Sequence, residues 1–202
     1  MLVDRTADLE LTARRIAFGK DLNAGQTCVA PDYLLIEKGL KERFLPMVRS
    51  CIEEFFPDGD FHDSPVIVNQ KHFQRVNALI TDGIVKGDTV YFGGTSDLET
   101  RFIQPTILDN VTFDSPIMQE EIFGPVLPVI EFESLSWAID KIKSRPRPLA
   151  LYLFTNDRAV RKRILSEVSY GGGCINDTII HLATPYMGFG GVGESGMGSY
   201  HG

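Results

Sequence analysis

The chain has few cysteines, no concentrated positive charge and no long apolar run. Each of these absences excludes a class of protein. Three cysteines occur among 202 residues. So sparse and odd a set argues for free thiols in a reducing compartment, which for this chain we expect to be the cytoplasm, rather than for a disulfide framework. The net charge is −7, and no cluster of lysine and arginine interrupts it. This charge pattern argues against a nucleic-acid partner.

Signals for export, for a membrane span and for a metal site are also missing. The first 20 residues mix acidic and basic side chains without an apolar block, unlike a signal peptide. The longest apolar stretch, residues 148–154, is far too short to cross a bilayer. No cysteine and histidine residues pair at the spacing of zinc ligands. With 43% hydrophobic and 23% charged residues, the composition is that of an ordinary globular domain.

Helical and strand patterns alternate along the chain. Apolar residues recur at helical spacing over residues 7–22, 39–56, 70–82 and 134–144. Short strand-like runs occur at 33–36, 89–92, 102–113, 126–132, 149–154 and 174–176. Thr155 or Asn156 is well placed to cap a further helix, and Pro46 is expected to kink or interrupt the second one. The alternation predicts an α/β domain with a mainly parallel sheet flanked by helices.

Cys28 is the first candidate for chemistry. It follows a short break at residues 23–25, between a helical pattern and a strand, and no apolar periodicity there would bury its thiol. Backbone N–H groups of such a turn can point toward a developing oxyanion, as an acyl-transfer nucleophile requires. A buried, inert cysteine is the usual alternative, and we prefer that interpretation for Cys51 and Cys174.

Residues 119–126, with the sequence QEEIFGPV, form the second informative segment. A carboxylate can accept hydrogen bonds from two ribose hydroxyls, and an aromatic ring can pack against a planar heterocycle. A solvated glutamate pair before a turn explains the same residues equally well.

Other residues leave weaker options open. Four histidines, His62, His72, His181 and His201, are available to a Cys–His hydrolase, but none has a recognisable signature with Cys28. Residues 188–198 contain six glycines without periodicity, which predicts a loop that approaches something closely. They lack the strand–turn–helix context of a dinucleotide fingerprint.

Five segments together resemble a known family. Residues 23–33, NAGQTCVAPDY, look like the active-site cysteine segment of NAD(P)-dependent aldehyde dehydrogenases. The likeness is to the class 3 branch, which includes fatty-aldehyde and coniferyl-aldehyde dehydrogenases. Residues 68–76, 102–108, 119–126 and 189–202 agree in the same order, so that the resemblance covers essentially the whole chain.

The resemblance implies a role for four residues. Cys28 would be the nucleophile, and its backbone N–H would help to hold the oxyanion. Glu121 would bind the nicotinamide ribose of NAD or NADP, Phe123 would pack near the nicotinamide, and Phe189 would lie near the aldehyde pocket. A small-molecule aldehyde would then be oxidised to a carboxylic acid through a thiohemiacetal and a thioester on the cysteine, with no metal.

The resemblance also implies what this chain leaves out. Residues 1–202 would form the nucleophile-bearing catalytic domain, while the glutamate base, the cofactor-binding domain and the C-terminal oligomerisation segment of a homo-oligomer would lie elsewhere. We therefore expect little or no turnover from the isolated chain. Two alternatives remain, a truncated subunit that acts as an interaction module and a thiol-dependent esterase. Asp21 departs from the family pattern, since an aromatic or apolar residue usually stands there.

Overall fold

A computed structural model describes residues 1–59, 61 and 63–200; His62 and His201 lie outside the described residues. In the described residues the α-helices are α1 Leu9–Asp21, α2 Lys41–Phe55, α3 Gln70–Val85, α4 Leu135–Lys143 and α5 Arg158–Glu167. The strands are β1 Leu2–Val3, β2 Leu34–Glu37, β3 Thr89–Phe92, β4 Ser96–Asp97, β5 Phe102–Ile103, β6 Thr106–Asp109, β7 Val126–Phe132, β8 Ala150–Phe154 and β9 Gly172–Ile175. Short 3₁₀ turns cover Leu22–Gly25, Pro57–Gly59, Pro116–Met118, Ile180–Leu182 and Gly193–Ser195.

Seven strands form one sheet in the order β3-β6-β7-β2-β1-β8-β9. Every neighbouring pair is parallel except β3 with β6, which is antiparallel at one edge. Strands β4 and β5 form a separate antiparallel ribbon. The mainly parallel sheet predicted from the alternating pattern is confirmed.

Helices cover both faces of this sheet. Ile16 of α1 and Val48 of α2 belong to one buried apolar cluster. Val76 of α3, Ile139 of α4 and Ile164 of α5 belong to another. Helices α1 and α2 therefore cover one face and α3 to α5 the other, which is why the parallel strands read as nearly continuous apolar runs.

Successive side chains of the central strand β2 belong to opposite apolar clusters. Its residues Leu34, Leu35 and Ile36 are all fully buried. Leu34 and Ile36 join the cluster under α1 and α2, whereas Leu35 joins the opposite one, as the two-residue period of a strand requires.

The structure differs from the local predictions at three points. Helix α2 continues through Pro46 without interruption. The predicted strand at 102–113 divides into β5 and β6, because Pro105 between them has no N–H to donate to a neighbouring strand. The two-residue strand β1 was not expected at all, and it lies in the middle of the sheet.

The cap of α5 also differs from expectation. The carboxylate of Asp157 accepts from the backbone N–H of Ala159 at 2.6 Å and of Val160 at 3.4 Å. Thr155 and Asn156 bond elsewhere, the hydroxyl of Thr155 donating to Asp4 and the amide of Asn156 to the Thr6 carbonyl. Within the described part of the chain, no helix combines the length and apolar character needed to cross a membrane.

Replacing Asp157 with alanine should lower the free energy of unfolding by about 1 kcal/mol, because two N–H groups at the start of α5 lose their acceptor. Urea titration measures the effect. Asp140→Ala, an exposed aspartate inside α4, is the matched control and should change stability by less than about 0.5 kcal/mol. Equal losses in the two variants would show that Asp157 does not act as a cap.

Candidate active site

A cleft of about 560 Å³ lies where the chain enters β2, β7 and β8. Its lining comes mainly from residues 25–35, 119–123 and 145–152, and also includes Met1, Lys20, Ile142, Glu194 and Ser195. Cys28, Glu121 and Phe123 all line it. Phe189 is not among the described lining residues; its ring instead packs near His181, with centroids 6.1 Å apart.

The thiol of Cys28 is the most accessible of the three. Cys28 is exposed, while Cys51 and Cys174 are half-buried. Burial raises the pKa of both Cys51 and Cys174, which keeps those two thiols protonated and poorly nucleophilic. The half-buried positions of Cys51 and Cys174 agree with packing roles. The exposed position of Cys28 makes it accessible to a substrate.

The turn before Cys28 has an unusual backbone. Asn23, Ala24 and Gly25 lie consecutively in the left-handed region, at φ values of 54°, 52° and 68°. The side chains of Asn23 and Gln26 stabilise this conformation by donating to each other's backbone carbonyls. Two non-glycine residues in this region carry strain, which persists in proteins where surrounding contacts enforce it.

Gly25 brings the cysteine turn against the segment that carries Glu121. A Cβ atom at Gly25 would lie 2.2 Å from the carbonyl oxygen of Gly124, so only glycine permits this approach. Asp32 adds a second link, because its carboxylate accepts from the backbone N–H of Ile122 at 3.1 Å. Two segments about 90 residues apart are thereby held in one site.

Arg75 of α3 fixes the same segment from its other side. Its guanidinium donates to the carbonyl oxygens of Glu121 and Ile122 and lies 3.5 Å from the Glu120 carboxylate. Phe123 follows with φ of 47°, a strained conformation that turns the chain sharply toward Gly124. The carboxylate of Glu121 and the ring of Phe123 consequently share the cleft with the thiol.

Two adjacent ionisable groups at the end of α1 are buried beside this site. Burial lowers the pKa of Lys20 from 10.5 to about 8, although Asp32, Asp21 and Glu121 favour its charged form. Its ammonium donates to the carbonyl of Pro31 at 2.9 Å. Burial raises the pKa of Asp21 from 3.8 to about 7, against the opposing effect of Lys20.

Two side chains of the cleft suit the nicotinamide and ribose of a dinucleotide. Partial burial, and next the charge of Asp32, raise the pKa of Glu121, while Arg75 and Lys20 lower it. The carboxyl group of Glu121 can accept hydrogen bonds from ribose hydroxyls, and the ring of Phe123 offers an apolar surface for a heterocycle. The roles of Cys28, Glu121, Phe123 and Phe189 stay predictions.

Neither described histidine forms a hydrogen bond with the thiol of Cys28. His72 is exposed on α3, and His181 is buried with its Nδ1 atom 3.7 Å from the sulfur of Cys174. Among the residues that the structure describes, no three His, Cys, Asp or Glu side chains come together as metal ligands would. The described part of the chain therefore offers Cys28 no direct histidine partner.

Sequence reasoning missed Lys20 and Asp32 as parts of the site. A signal for Lys20 was present, since it follows Ile16 by four residues and so falls on the apolar face of α1. Asp32 carried no such signal, because its partner Ile122 is distant along the chain and only folding brings the two together.

Gly25→Ala should destabilise the protein far more than Gly39→Ala. Both glycines have positive φ, but a Cβ at Gly39 meets nothing within 4 Å. We expect a loss of about 1 kcal/mol for Gly39→Ala and at least about 2 kcal/mol more for Gly25→Ala, whose methyl group overlaps a backbone carbonyl. Urea unfolding measures both, and equal losses would contradict the close approach of Gly25 to Gly124.

Asp21→Asn should change how stability depends on pH. Between pH 4 and pH 7 the unfolded chain releases the Asp21 proton while the folded chain retains it, so folding becomes less favourable as pH rises. The variant lacks this penalty. Its stability relative to the unaltered protein should improve by roughly 2–4 kcal/mol between pH 4 and pH 8. Urea titrations at several pH values measure this, with exposed Asp140→Asn as the control. Parallel curves for Asp21→Asn and the unaltered protein would refute it.

Comparison with known proteins identifies the family of this chain. The model of the aldehyde dehydrogenase family matches residues 1–202. The 4,4'-diaponeurosporen-aldehyde dehydrogenase of Staphylococcus aureus is 48% identical over 205 residues, covering 100% of this chain and 44% of that protein. A Bos taurus protein named "Aldehyde dehydrogenase, dimeric NADP-preferring" is 45% identical over 202 residues, covering 99% of this chain and 82% of that protein.

A solved structure, the substrate-bound state of Staphylococcus aureus AldH, matches with a TM-score of 0.94 at 48% identity. The match covers 100% of this chain and 44% of that one, so the chain spans less than half the length of the staphylococcal protein. Since the family model matches every residue from 1 to 202, the chain belongs to the aldehyde dehydrogenase family.

Proposed function

We propose that this chain carries the nucleophile of an enzyme that oxidises a small-molecule aldehyde to a carboxylic acid with NAD or NADP. One observation supports this above all: the exposed thiol of Cys28 lines the same cleft as Glu121 and Phe123. A covalent nucleophile and a set of groups suited to a nicotinamide nucleotide therefore meet in one place.

Cys28 would act first. Its thiolate adds to the carbonyl carbon of the aldehyde, and the carbonyl oxygen gains negative charge as the C–S bond forms. The backbone N–H of Cys28 is a hydrogen-bond donor beside the sulfur and can stabilise that oxygen. The product is a tetrahedral thiohemiacetal held on the cysteine.

Glu121 and Phe123 would hold the nicotinamide end of the cofactor, the carboxylate accepting from ribose hydroxyls and the ring packing beside the heterocycle. A nicotinamide in this position supplies a hydride acceptor, which thiol chemistry alone lacks. Loss of a hydride from the thiohemiacetal carbon and of a proton from its oxygen would leave the substrate on Cys28 as a thioester, and hydrolysis of that thioester by water would release the acid and restore the thiol.

The remaining parts of the enzyme are proposed to lie outside residues 1–202, which would form the catalytic domain. The staphylococcal relative is more than twice as long as its match to this chain. We propose that residues outside 1–202 supply the base for thioester hydrolysis and the rest of the cofactor site. Residues 1–202 alone would then catalyse the reaction slowly. Self-association is part of the same proposal, as the bovine relative is named dimeric.

Cys28→Ser should abolish covalent labelling by an activated ester. We expect p-nitrophenyl acetate to acylate the unaltered protein at Cys28, as seen by peptide mass spectrometry, and the variant to react at least about 100-fold more slowly. Cys51→Ser is the matched control and should react at the normal rate. Acylation that persists at full rate in Cys28→Ser would remove the proposed nucleophile.

A thiol-dependent esterase remains the second candidate, because ester hydrolysis needs only an accessible thiol and an oxyanion donor, both present at Cys28. An activity assay with an aldehyde and NAD or NADP distinguishes the two functions. Formation of NADH or NADPH by the full-length polypeptide, lost in Cys28→Ser, supports the dehydrogenase. Steady ester turnover without aldehyde oxidation supports the esterase.

A further inference from the structure

We propose that Tyr152 is a positioning residue for Cys28, because its hydroxyl group fixes the direction of the Cys28 backbone N–H toward the oxyanion. This inference rests on the function proposed above and adds a residue that acts through the nucleophile's backbone. Tyr152 lies on β8 and is 2% exposed, and it contributes to the lining of the cleft.

The contact that carries this inference is a buried hydrogen bond. The Tyr152 hydroxyl donates to the backbone carbonyl of Val29 at 2.6 Å. Val29 directly follows Cys28, and the two bonded residues are 123 positions apart in the chain. A tyrosine hydroxyl that is fully enclosed requires such a partner, and here that partner is the peptide next to the nucleophile.

A short path of rigid peptide planes leads from this bond to the Cys28 amide. The carbonyl of Val29 and the N–H of Ala30 belong to one planar peptide unit. That N–H donates to the carbonyl of Thr27 at 2.9 Å, and the Thr27 carbonyl shares its own peptide plane with the N–H of Cys28. Tyr152 thus holds one plane directly and the plane of the Cys28 amide through it.

The surroundings of Tyr152 hold its hydroxyl in place. The backbone N–H of Ile179 is close enough to the same oxygen to lower the pKa of Tyr152, and Ile179 adopts φ of 60°, a strained conformation for a β-branched residue. The ring meets His181 edge-on at 5.8 Å between centroids. Burial raises the pKa of Tyr152, which keeps the phenol protonated and able to donate.

Two reactions of Cys28, one that forms an oxyanion and one that does not, distinguish this role from simple structural support. Acylation of Cys28 by p-nitrophenyl acetate forms a C–S bond, expels nitrophenolate and passes through an oxyanion that the Cys28 N–H can stabilise. Alkylation by iodoacetamide forms a C–S bond with loss of iodide and develops no oxyanion. A misdirected amide should therefore slow the first reaction and spare the second.

The test compares Tyr152→Phe with Tyr91→Phe, which alters a tyrosine on β3, the edge strand of the sheet. Both Cys28 rates are measured by peptide mass spectrometry on the purified protein, with urea unfolding to confirm that each variant is folded. We expect the ratio of acylation to alkylation to fall about 10-fold or more in Tyr152→Phe. The ratio should stay unchanged in Tyr91→Phe.

Three results would overturn this role. Equal slowing of both reactions in Tyr152→Phe would mean that Tyr152 supports the structure without directing the amide. Acylation and alkylation rates in Tyr152→Phe that both equal those of the unaltered protein would refute the role of Tyr152 and leave the proposed function standing. Failure of the unaltered protein to acylate at Cys28, despite alkylation there, would refute the proposed function and this inference together.

Discussion

The close approach of two backbones, at Gly25 and Gly124, is the constraint on which the site depends. A side chain at Gly25 would overlap the Gly124 carbonyl, and a Cβ at Gly124 would lie 2.8 Å from the side chain of Val76 on α3. Neither position has room for a Cβ atom unless its neighbours move. Cys28 and Glu121 each lie three residues from this contact, so the separation of the thiol and the carboxylate depends on two glycines that carry no side chain.

The position of the cleft in the sheet is also informative. Open parallel sheets usually bind ligands beyond the carboxyl ends of their strands. Here Asp32, Phe123 and Leu149 precede β2, β7 and β8, so the cleft lies at the amino ends. The site is consequently built from connections entering the sheet, and it depends on contacts between those connections, such as the bond from Tyr152 to Val29, to hold irregular backbone in place.

The sequence predicts the parts of this structure that have a local period. Helices α1 to α4 and strands β7 and β8 were recognisable because each repeats an apolar pattern over several residues. Strand β1 has only Leu2 and Val3, too few to show a period. The cap at Asp157 and the bond from Ile122 to Asp32 depend on side-chain direction and on long-range folding. Cys28, Glu121 and Phe123 were singled out through motifs, but their common cleft emerges only from the sheet order.

The buried pair Lys20 and Asp21 indicates that stability alone does not explain which residues occupy this region. Each group is shifted toward its neutral form by burial, and well-packed apolar residues generally serve a core at least as well as buried charges. Lys20 nevertheless lines the cleft and faces Asp32 and Glu121. Because perturbed ionisable groups concentrate at functional sites, the lysine is best understood through the carboxylates that it faces. Its positive charge opposes the rise in the pKa of Glu121 that burial and Asp32 cause.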